Sequence, residues 1–582
     1  MSKIAKKSGI FFIIFITVFR VWLAQIQNID VAIRGGGADD WHQIKQAIAL
    51  SSGKWLGKFD YHTYIKEIGY PLFCFILNKL HISYGVGCGL LIIAVSALCA
   101  AALRPLFSNK FSNIVYLFLL FNPAGFGTLK LYRAALLGLI PLAVIACVLG
   151  IYLYSCNGKY IYSLIFGFAG FIYTAWFWIL KEDAIWLLPF LICASAVCFC
   201  RELYLLIKKN SSIKAFILVT CALLLAFIGA YTSTTFVSKM NANHYGIALT
   251  NDRSKGEFAR LCGMLYRIDS SDADEDQDTW FSKGAFHAAV EASPHLASLN
   301  GLEEEFVDWG NRGASNFSGW PRGDMFTWAL RESMKDNGCY ESEQTAQEFC
   351  RAAAAELEEA FDTGILHKKN RIYLTGYIRG YKFSELVEDA VIAIKTIGRF
   401  SIYKNVKVSD SVFYADGDMN KIGAIENLFK VNMPLTDEQL VEFGIDSSIY
   451  KMTNNNIVRE RYLFITIATL IYKIYRFAMI LLIPVSLSGF VLIIFKTIKE
   501  KNIVSGRILL ITIALLLTAF CAVYITALFG TWLSAEPAGS AFVAYCPVAY
   551  FIMDIVKLLL CGYVFNFLLN KTPEIKNQPA SS

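Results

Sequence analysis

Two adjacent aspartates, Asp39 and Asp40, follow directly on the first apolar run, in GGGADDWHQIKQAIALSSGKWLGKFDYHTYIKEIGYPLF, residues 35 to 73. A carboxylate within hydrogen-bond reach of a hydroxyl can take its proton as a general base. Cations recur equally close to apolar runs: Lys66 in this stretch, Arg133 in LKLYRAALLG with Lys130 ahead of it, and Lys181 in WILKEDAIWLLP. Lys181 is followed at once by Glu182 and Asp183, and a further acid, Glu536, lies in SAEPAGSA. Arg and Lys at such places can hold an anionic headgroup, Arg with two parallel hydrogen bonds. Acids and bases mixed in one interfacial cleft suit a substrate with an anionic head and a hydroxyl that must lose a proton.

Each residue also has a plainer reading. A lone Arg at a span end is usually a snorkelling anchor, and the Lys-Glu-Asp turn can be a solvated hairpin. Asp39 or Asp40 can cap a helix beginning near WHQIKQAIAL, where a negative charge suits the positive helix end; one may cap while the other faces the cleft. His42 and His62 read as polar surface residues, and no metal-ligand spacing stands out anywhere in the sequence.

The elements that must carry these residues are membrane helices. Of 582 residues, 55% are apolar and only 17% charged, against about 25% charged in soluble domains. Apolar runs long enough to cross a bilayer recur at 9–27, 84–103, 112–127, 134–155, 160–180, 184–200, 214–236, 462–495, 505–530 and 541–569. The expected fold is therefore mostly α, a polytopic helical membrane protein of about ten spans. The run at 112–127 is short. That at 462–495 is too long for one straight span and is expected to include an interfacial helix around Tyr462 to Arg476. The first run lacks a clear small-x-small cleavage site and reads as a retained span.

Lys3, Lys6 and Lys7 precede the first run, and alternate short loops are basic as well, which sets both termini on the cytoplasmic side. The opposite side then receives residues 28–83, the junctions near Lys130 and Lys181, and a large inserted segment. Three divisions follow: 1–236 with seven spans, 237–461 as a mainly helical periplasmic domain, and 462–582 with three spans. The net charge of +7 hides an asymmetry, since 237–461 holds 25 Lys and Arg against 35 Asp and Glu. No exposed basic domain exists to neutralise phosphates, so nucleic acid is excluded as a partner.

Within the insert, DMFTWALRESMKDNGCYESEQTAQEFCRAAAAELEEAFDTGIL has the spacing of two helices parted at Asn337-Gly338. SSDADEDQDTW reads as a solvated acidic turn rather than a calcium loop. Of the fifteen cysteines, Cys262, Cys339 and Cys350 fall in this domain. A Cys339–Cys350 disulfide and free thiols are both compatible with the spacing. Trp280, Trp309, Trp320 and Trp328 could stack on sugars, although core packing accounts for most tryptophans.

An acidic pair in the first outer loop followed by an amphipathic helix resembles the GT-C membrane glycosyltransferases, the superfamily of protein O-mannosyltransferases, the lipid A aminoarabinose transferase and oligosaccharyltransferases. The likeness is most specific to a set of bacterial membrane proteins related to that group. It is carried by Asp39, Asp40, Gly53, Trp55, Leu56, Gly57, Phe59, Asp60, Lys66, Tyr70, Pro71, Leu72 and Phe73. LYRAAL, LKEDAIWLLP, HYG and FTWALRES are similar to later blocks of the same set, so the resemblance reaches about residue 367. The chain departs at Glu67 where Gly is usual, at Ala134-Ala135 after Arg133 instead of Glu-Gly, and at SAEPAGSAFVAYC where an arginine-tyrosine element is expected.

The resemblance implies inverting transfer of a sugar from a polyprenyl-phosphate donor to a hydroxyl of an envelope glycan or lipid, at the periplasmic face of the bacterial inner membrane. It makes Asp40 the first choice of base, with Asp39 next. Arg133, Lys181 and Lys66 are then candidates for the donor phosphate, and Glu182 and Asp183 for sugar hydroxyls or a second acidic contact. No redox cofactor is implied. Some branches use a divalent metal, which Asp39/Asp40 and Glu182/Asp183 would hold. Two other readings compete. A lipid-linked oligosaccharide flippase or transporter should carry charges near the bilayer midplane on broken helices, and a non-enzymatic anchor would leave these acids and bases without a common purpose.

Overall fold

A computed structural model describes residues 3–30, 40–107, 109–126, 129–130, 133–270, 278–312, 319–404, 406 and 408–569, with side chains except at 3–8, 129 and 130. Asp39, the acidic residues 272–276, and Lys571 and Lys576 lie outside these residues. The helices used below are α1 (Lys3–Gln25), α2 (His42–Ser51), α3 (Gly69–Lys79), α4 (Tyr84–Leu103) and α5 (Asn109–Leu120). They continue with α6 (Ala134–Cys156), α7 (Tyr160–Trp178), α8 (Ala184–Ile207) and α9 (Ile213–Tyr245). The inserted segment contributes α10 (Met325–Asp336), α11 (Glu343–Asp362) and α12 (Phe383–Ser401), and α13 (Ser448–Ile498), α14 (Ile503–Gly530) and α15 (Val548–Leu568) close the chain.

Eight of these, α4, α6 to α9 and α13 to α15, are long and apolar enough to cross a membrane. Of the other two expected spans, α1 is a helix of 23 residues, with Gly9–Gln25 the apolar stretch among the residues described with side chains, and the second is short. Helix α5 has 12 residues, about 18 Å at 1.5 Å per residue against a hydrocarbon core of about 30 Å. Its apolar letters run on, but Asn122 accepts a hydrogen bond from the Ala124 amide at 2.8 Å and starts a tight turn at Pro123.

The expected interfacial helix at 462–476 does not exist as a separate element. Residues 448–498 form one helix of 51 residues containing Pro484, because nothing between Ser448 and Arg476 breaks the backbone. Buried Arg461 ties it to the end of α1, donating to the carbonyls of Gln25 at 3.2 Å and Gln27 at 2.8 Å. Helices α9 and α13 run through the expected divisions at 236/237 and 461/462.

Close helix packing needs small residues. Between α7 and α9, a Cβ on Gly167 would lie 2.7 Å from Ala222 Cα and one on Gly229 only 2.3 Å from the Phe171 carbonyl oxygen. The predicted helix pair appears as α10 and α11, parted by Gly338 at φ +77°. Ser342 and Thr345 form a reciprocal cap at the start of α11.

The insert has two parts. Phe258, Leu261, Phe281, Phe306, Phe326, Leu330 and Leu357 form a core of their own that also takes in Trp532 from beyond α14. Phe400, Tyr403, Ile422 and Leu428 instead join the core of the spanning helices. All fifteen cysteines are free thiols, Cys339 and Cys350 included.

Candidate functional site

The first outer segment is held against the insert by the motifs that attract attention in the sequence. In SGKWLGKFD, Trp55 Nε1 donates to Asn241 at 2.8 Å, and its ring stacks on His244 of HYG at 5.9 Å. Tyr245 donates to the Gly57 carbonyl at 2.9 Å. Gly57 adopts φ +96° with the Ala49 methyl 3.3 Å from where its own Cβ would sit, so the turn requires glycine. One step further, buried Arg331 of FTWALRES donates to the Tyr61 carbonyl at 2.9 Å and pairs with buried Asp252 at 2.7 Å. The Asp252 amide in turn donates to the Tyr64 carbonyl at 3.0 Å.

The start of α3 then docks on the turn between α7 and α8. The Gly69 amide donates to the Ile179 carbonyl at 2.6 Å, and Trp176 Nε1 donates to the Gly69 carbonyl at 3.0 Å. A methyl on Gly69 would lie 2.6 Å from that Ile179 oxygen. The same turn receives Arg133, which is fully buried just ahead of α6 and donates to Glu182 at 2.9 Å and to the Leu180 carbonyl at 3.3 Å. Upstream of Arg133, Leu129 pairs in parallel with Ile29, and Lys130 with Asp30. This brings the exit of α1 beside the approach to α6.

Glu182 is the electrostatic centre of this junction. Its burial acts to raise its pKa, but Arg133, Lys66 and Arg253 together hold it down at about 2. At neutral pH it is a fixed anion and a poor proton acceptor, suited to orienting cations rather than to acid–base exchange. Lys66 is buried, and its ammonium lies 5.9 Å from the ring centre of Trp328, while the Arg253 guanidinium lies 5.6 Å from the same ring. Arg253 also pairs with Asp324. Lys181 pairs with Asp183 and sits 4.9 Å from the ring of Tyr545.

Lys66, Arg133 and Glu182 are thus brought into one electrostatic group, with Lys181 and Asp183 on the same turn. Asp40 is buried at the entry to α2 and its charge is felt by Tyr70, the residue after Gly69. Asp40 and Trp41 form a π-helical turn that runs into α2, and Asp39, the other capping candidate, lies outside the described residues. Glu536 is not part of the group. It is exposed and pairs with Arg399 at 2.9 Å.

Several participants escape sequence reading. Glu67, which stands where the resembled proteins carry Gly, is buried and accepts from Thr250 at 2.8 Å and Asn251 at 2.6 Å. Lys255 lies 3.6 Å away, yet burial keeps the Glu67 carboxyl above the usual range. Arg253 has no motif of its own to flag it, and Trp328, noted in the sequence as a possible sugar-stacking ring, instead lies beside the cations Lys66 and Arg253. Trp280 and Trp320 pack in the core of the insert, whereas Trp309 and Trp328 are half-buried and stack on each other at 6.3 Å. His42 is buried rather than on the surface, and it comes close to Asp60 and His62.

Charge deep among the helices is neutralised locally. Asp554 and Lys557 on α15 pair at 2.7 Å, Asp554 accepts from Asn122 at 2.8 Å and from Tyr403, and Lys557 donates to the Ser401 carbonyl at 2.9 Å. This network clamps the end of α12 to α15. An apolar cavity of about 350 Å³ lies between α6, α8 and α14, lined by Tyr152, Trp186, Pro189, Ile513 and Cys521 among others.

Comparison with protein-family models, curated proteins and solved structures finds no match to this chain.

Proposed function

We propose that this protein is an inverting, GT-C-like glycosyltransferase that moves a sugar from a polyprenyl-phosphate donor to a hydroxyl of a cell-envelope glycan or lipid. The observation that carries the reading is the electrostatic group of buried Lys66 and Arg133 with partly buried Arg253 and Glu182 at the turn between α7 and α8. Guanidinium and ammonium groups gathered around one fixed carboxylate at a span junction are of the kind a lipid phosphate requires when it leaves. The apolar cavity lined by Trp186 is a suitable place for the first isoprene units beside that phosphate.

In this mechanism Asp40, with Asp39 as its neighbour in sequence, takes the acceptor proton as the hydroxyl attacks the anomeric carbon. Arg133 and Lys66 stabilise the departing phosphate, with Lys181 at the rim. Glu182 keeps Arg133 in position. The Lys181–Asp183 pair opens to the sugar. The site faces the periplasm of a bacterial inner membrane, with both termini cytoplasmic. The second reading, a lipid-linked oligosaccharide flippase or transporter, would call for charges near the bilayer midplane on broken helices, whereas Asp554 and Lys557 pair on the continuous helix α15.

The test is transfer of labelled sugar from polyprenyl-phosphate donors to extracted envelope glycans by the purified protein. Asp40→Asn is expected to abolish transfer while leaving expression and thermal stability near wild type, because an amide cannot take the proton. Unchanged transfer in both Asp39→Asn and Asp40→Asn would overturn the assignment of the base.

A further inference from the structure

His42 opens α2 with both ring nitrogens buried and neither hydrogen-bonded. One of those nitrogens must carry a proton, so an unfilled site would leave a buried donor and a buried acceptor unsatisfied, at about 1–3 kcal/mol each. Facing it is the turn 60–63. One ligand atom from each of His42, Asp60 and His62 lies within 4.8 Å of the others. Ligands about 2.0–2.1 Å from a shared tetrahedral ion stand ~3.3 Å apart, so side-chain rotation of about an ångström closes the set.

The backbone that presents these groups is already fixed. The Asp60 amide donates to Thr63 Oγ1 at 2.8 Å and the His62 amide to Asp60 Oδ1 at 2.9 Å. Gln46, one turn along α2 from His42, donates to the Thr63 carbonyl at 3.0 Å. Arg331 holds the Tyr61 carbonyl from the other side.

We infer that His42, Asp60 and His62 form a binding site for one divalent transition-metal ion of the zinc class, bridging α2 to the turn 60–63. Two imidazole nitrogens and a carboxylate oxygen suit zinc rather than calcium or magnesium. Three protein ligands leave a fourth position for water. Lys45 pairs with Asp60 Oδ2 at 3.2 Å and is largely exposed, so it swings out to solvent as the ion enters and competes with it. The positive charges of Lys45 and Lys66 near His42 make the site weaker than a closed four-ligand one. The ligand set shares no residue with the Asp39/Asp40 and Glu182/Asp183 candidates, and it does not depend on the glycosyl-transfer reading.

The experiment is titration of the chelator-stripped, full-length protein in detergent with zinc chloride against a chromophoric chelator. One zinc per chain is expected. His42→Ala and His62→Ala should each weaken binding by more than the roughly 10–100-fold that loss of an outer-shell partner costs, and Lys45→Ala should tighten it several-fold. Wild-type protein with cobalt(II) supplies a readout that needs no variant, namely visible d–d bands without a near-ultraviolet sulfur charge-transfer band. Absence of stoichiometric zinc binding would overturn the inference. So would a sulfur band, or binding that survives both histidine variants and is lost in Asp40→Asn.

Discussion

Glu182 and Arg133 show what a buried charge demands of its neighbours. Glu182 has its folded pKa depressed to about 2 by Arg133, Lys66 and Arg253, so the group contributes stability that is fully present above the unfolded value of about 4.3. That contribution is lost as pH falls toward 2, and in size it is about 3 kcal/mol. Arg133→Ala should destabilise the protein at pH 7 by a large part of that amount, with Lys66 and Arg253 still facing the carboxylate. Adding Glu182→Gln should recover much of the loss, and thermal unfolding of the two single variants and the double variant measures the coupling. An additive double variant would remove the pair from its structural role. Arg133, Glu182 and Lys66 were legible one by one, because charges beside apolar runs stand out. Their grouping with Arg253 and Trp328 was not legible, since those residues come from a distant part of the chain and carry no spacing signal.

At the scale of elements, spanning helices were readable wherever a single apolar run of bilayer length stood apart from its neighbours. The run lengths did not show the starts, which Ser83 before α4 and Ser212 before α9 set by accepting a hydrogen bond from an amide of the helix's first turn. The reading failed where hydropathy and backbone continuity part company. The polar face of Ser448–Arg461 concealed the fact that α13 begins before its apolar stretch, and Asn122-Pro123 cut α5 short inside an apolar stretch. Packing between α7 and α9 gives a direct test. Gly229→Ala would press a methyl into the Phe171 carbonyl and should cost about 1–3 kcal/mol. Gly398→Ala on α12, where nothing lies within 4 Å, should stabilise by about 0.5–1 kcal/mol. Equal melting temperatures for the two variants would contradict the close α7–α9 contact.

For the whole molecule, the segments that meet the insert define one face: residues 55–64, the turn at 179–183, and the region after α14 that sends Trp532 into the insert's core. In the proposed topology that face lies outside the cell, because lysine and arginine gather at the other loop ends and the positive-inside rule then predicts it. Protease added to spheroplasts should therefore cleave between α9 and α13, while a fluorescent protein fused after Ser582 should fold and fluoresce in the cytoplasm. Cleavage of the insert only after lysis would reverse the topology. The division of the insert into a self-contained core and a part fused to the spans had no counterpart in the sequence, because both halves carry the same helical periodicity.

Helix α13 also has a mechanical consequence. At about 77 Å it is a stiff beam that passes from the insert's side of the protein toward the opposite one, and Arg461 grips the end of α1 where a fulcrum would stand. A push on the end near Ser448 is transmitted along its length, and flexure concentrates at Pro484, where the ring removes one rung of the hydrogen-bond ladder.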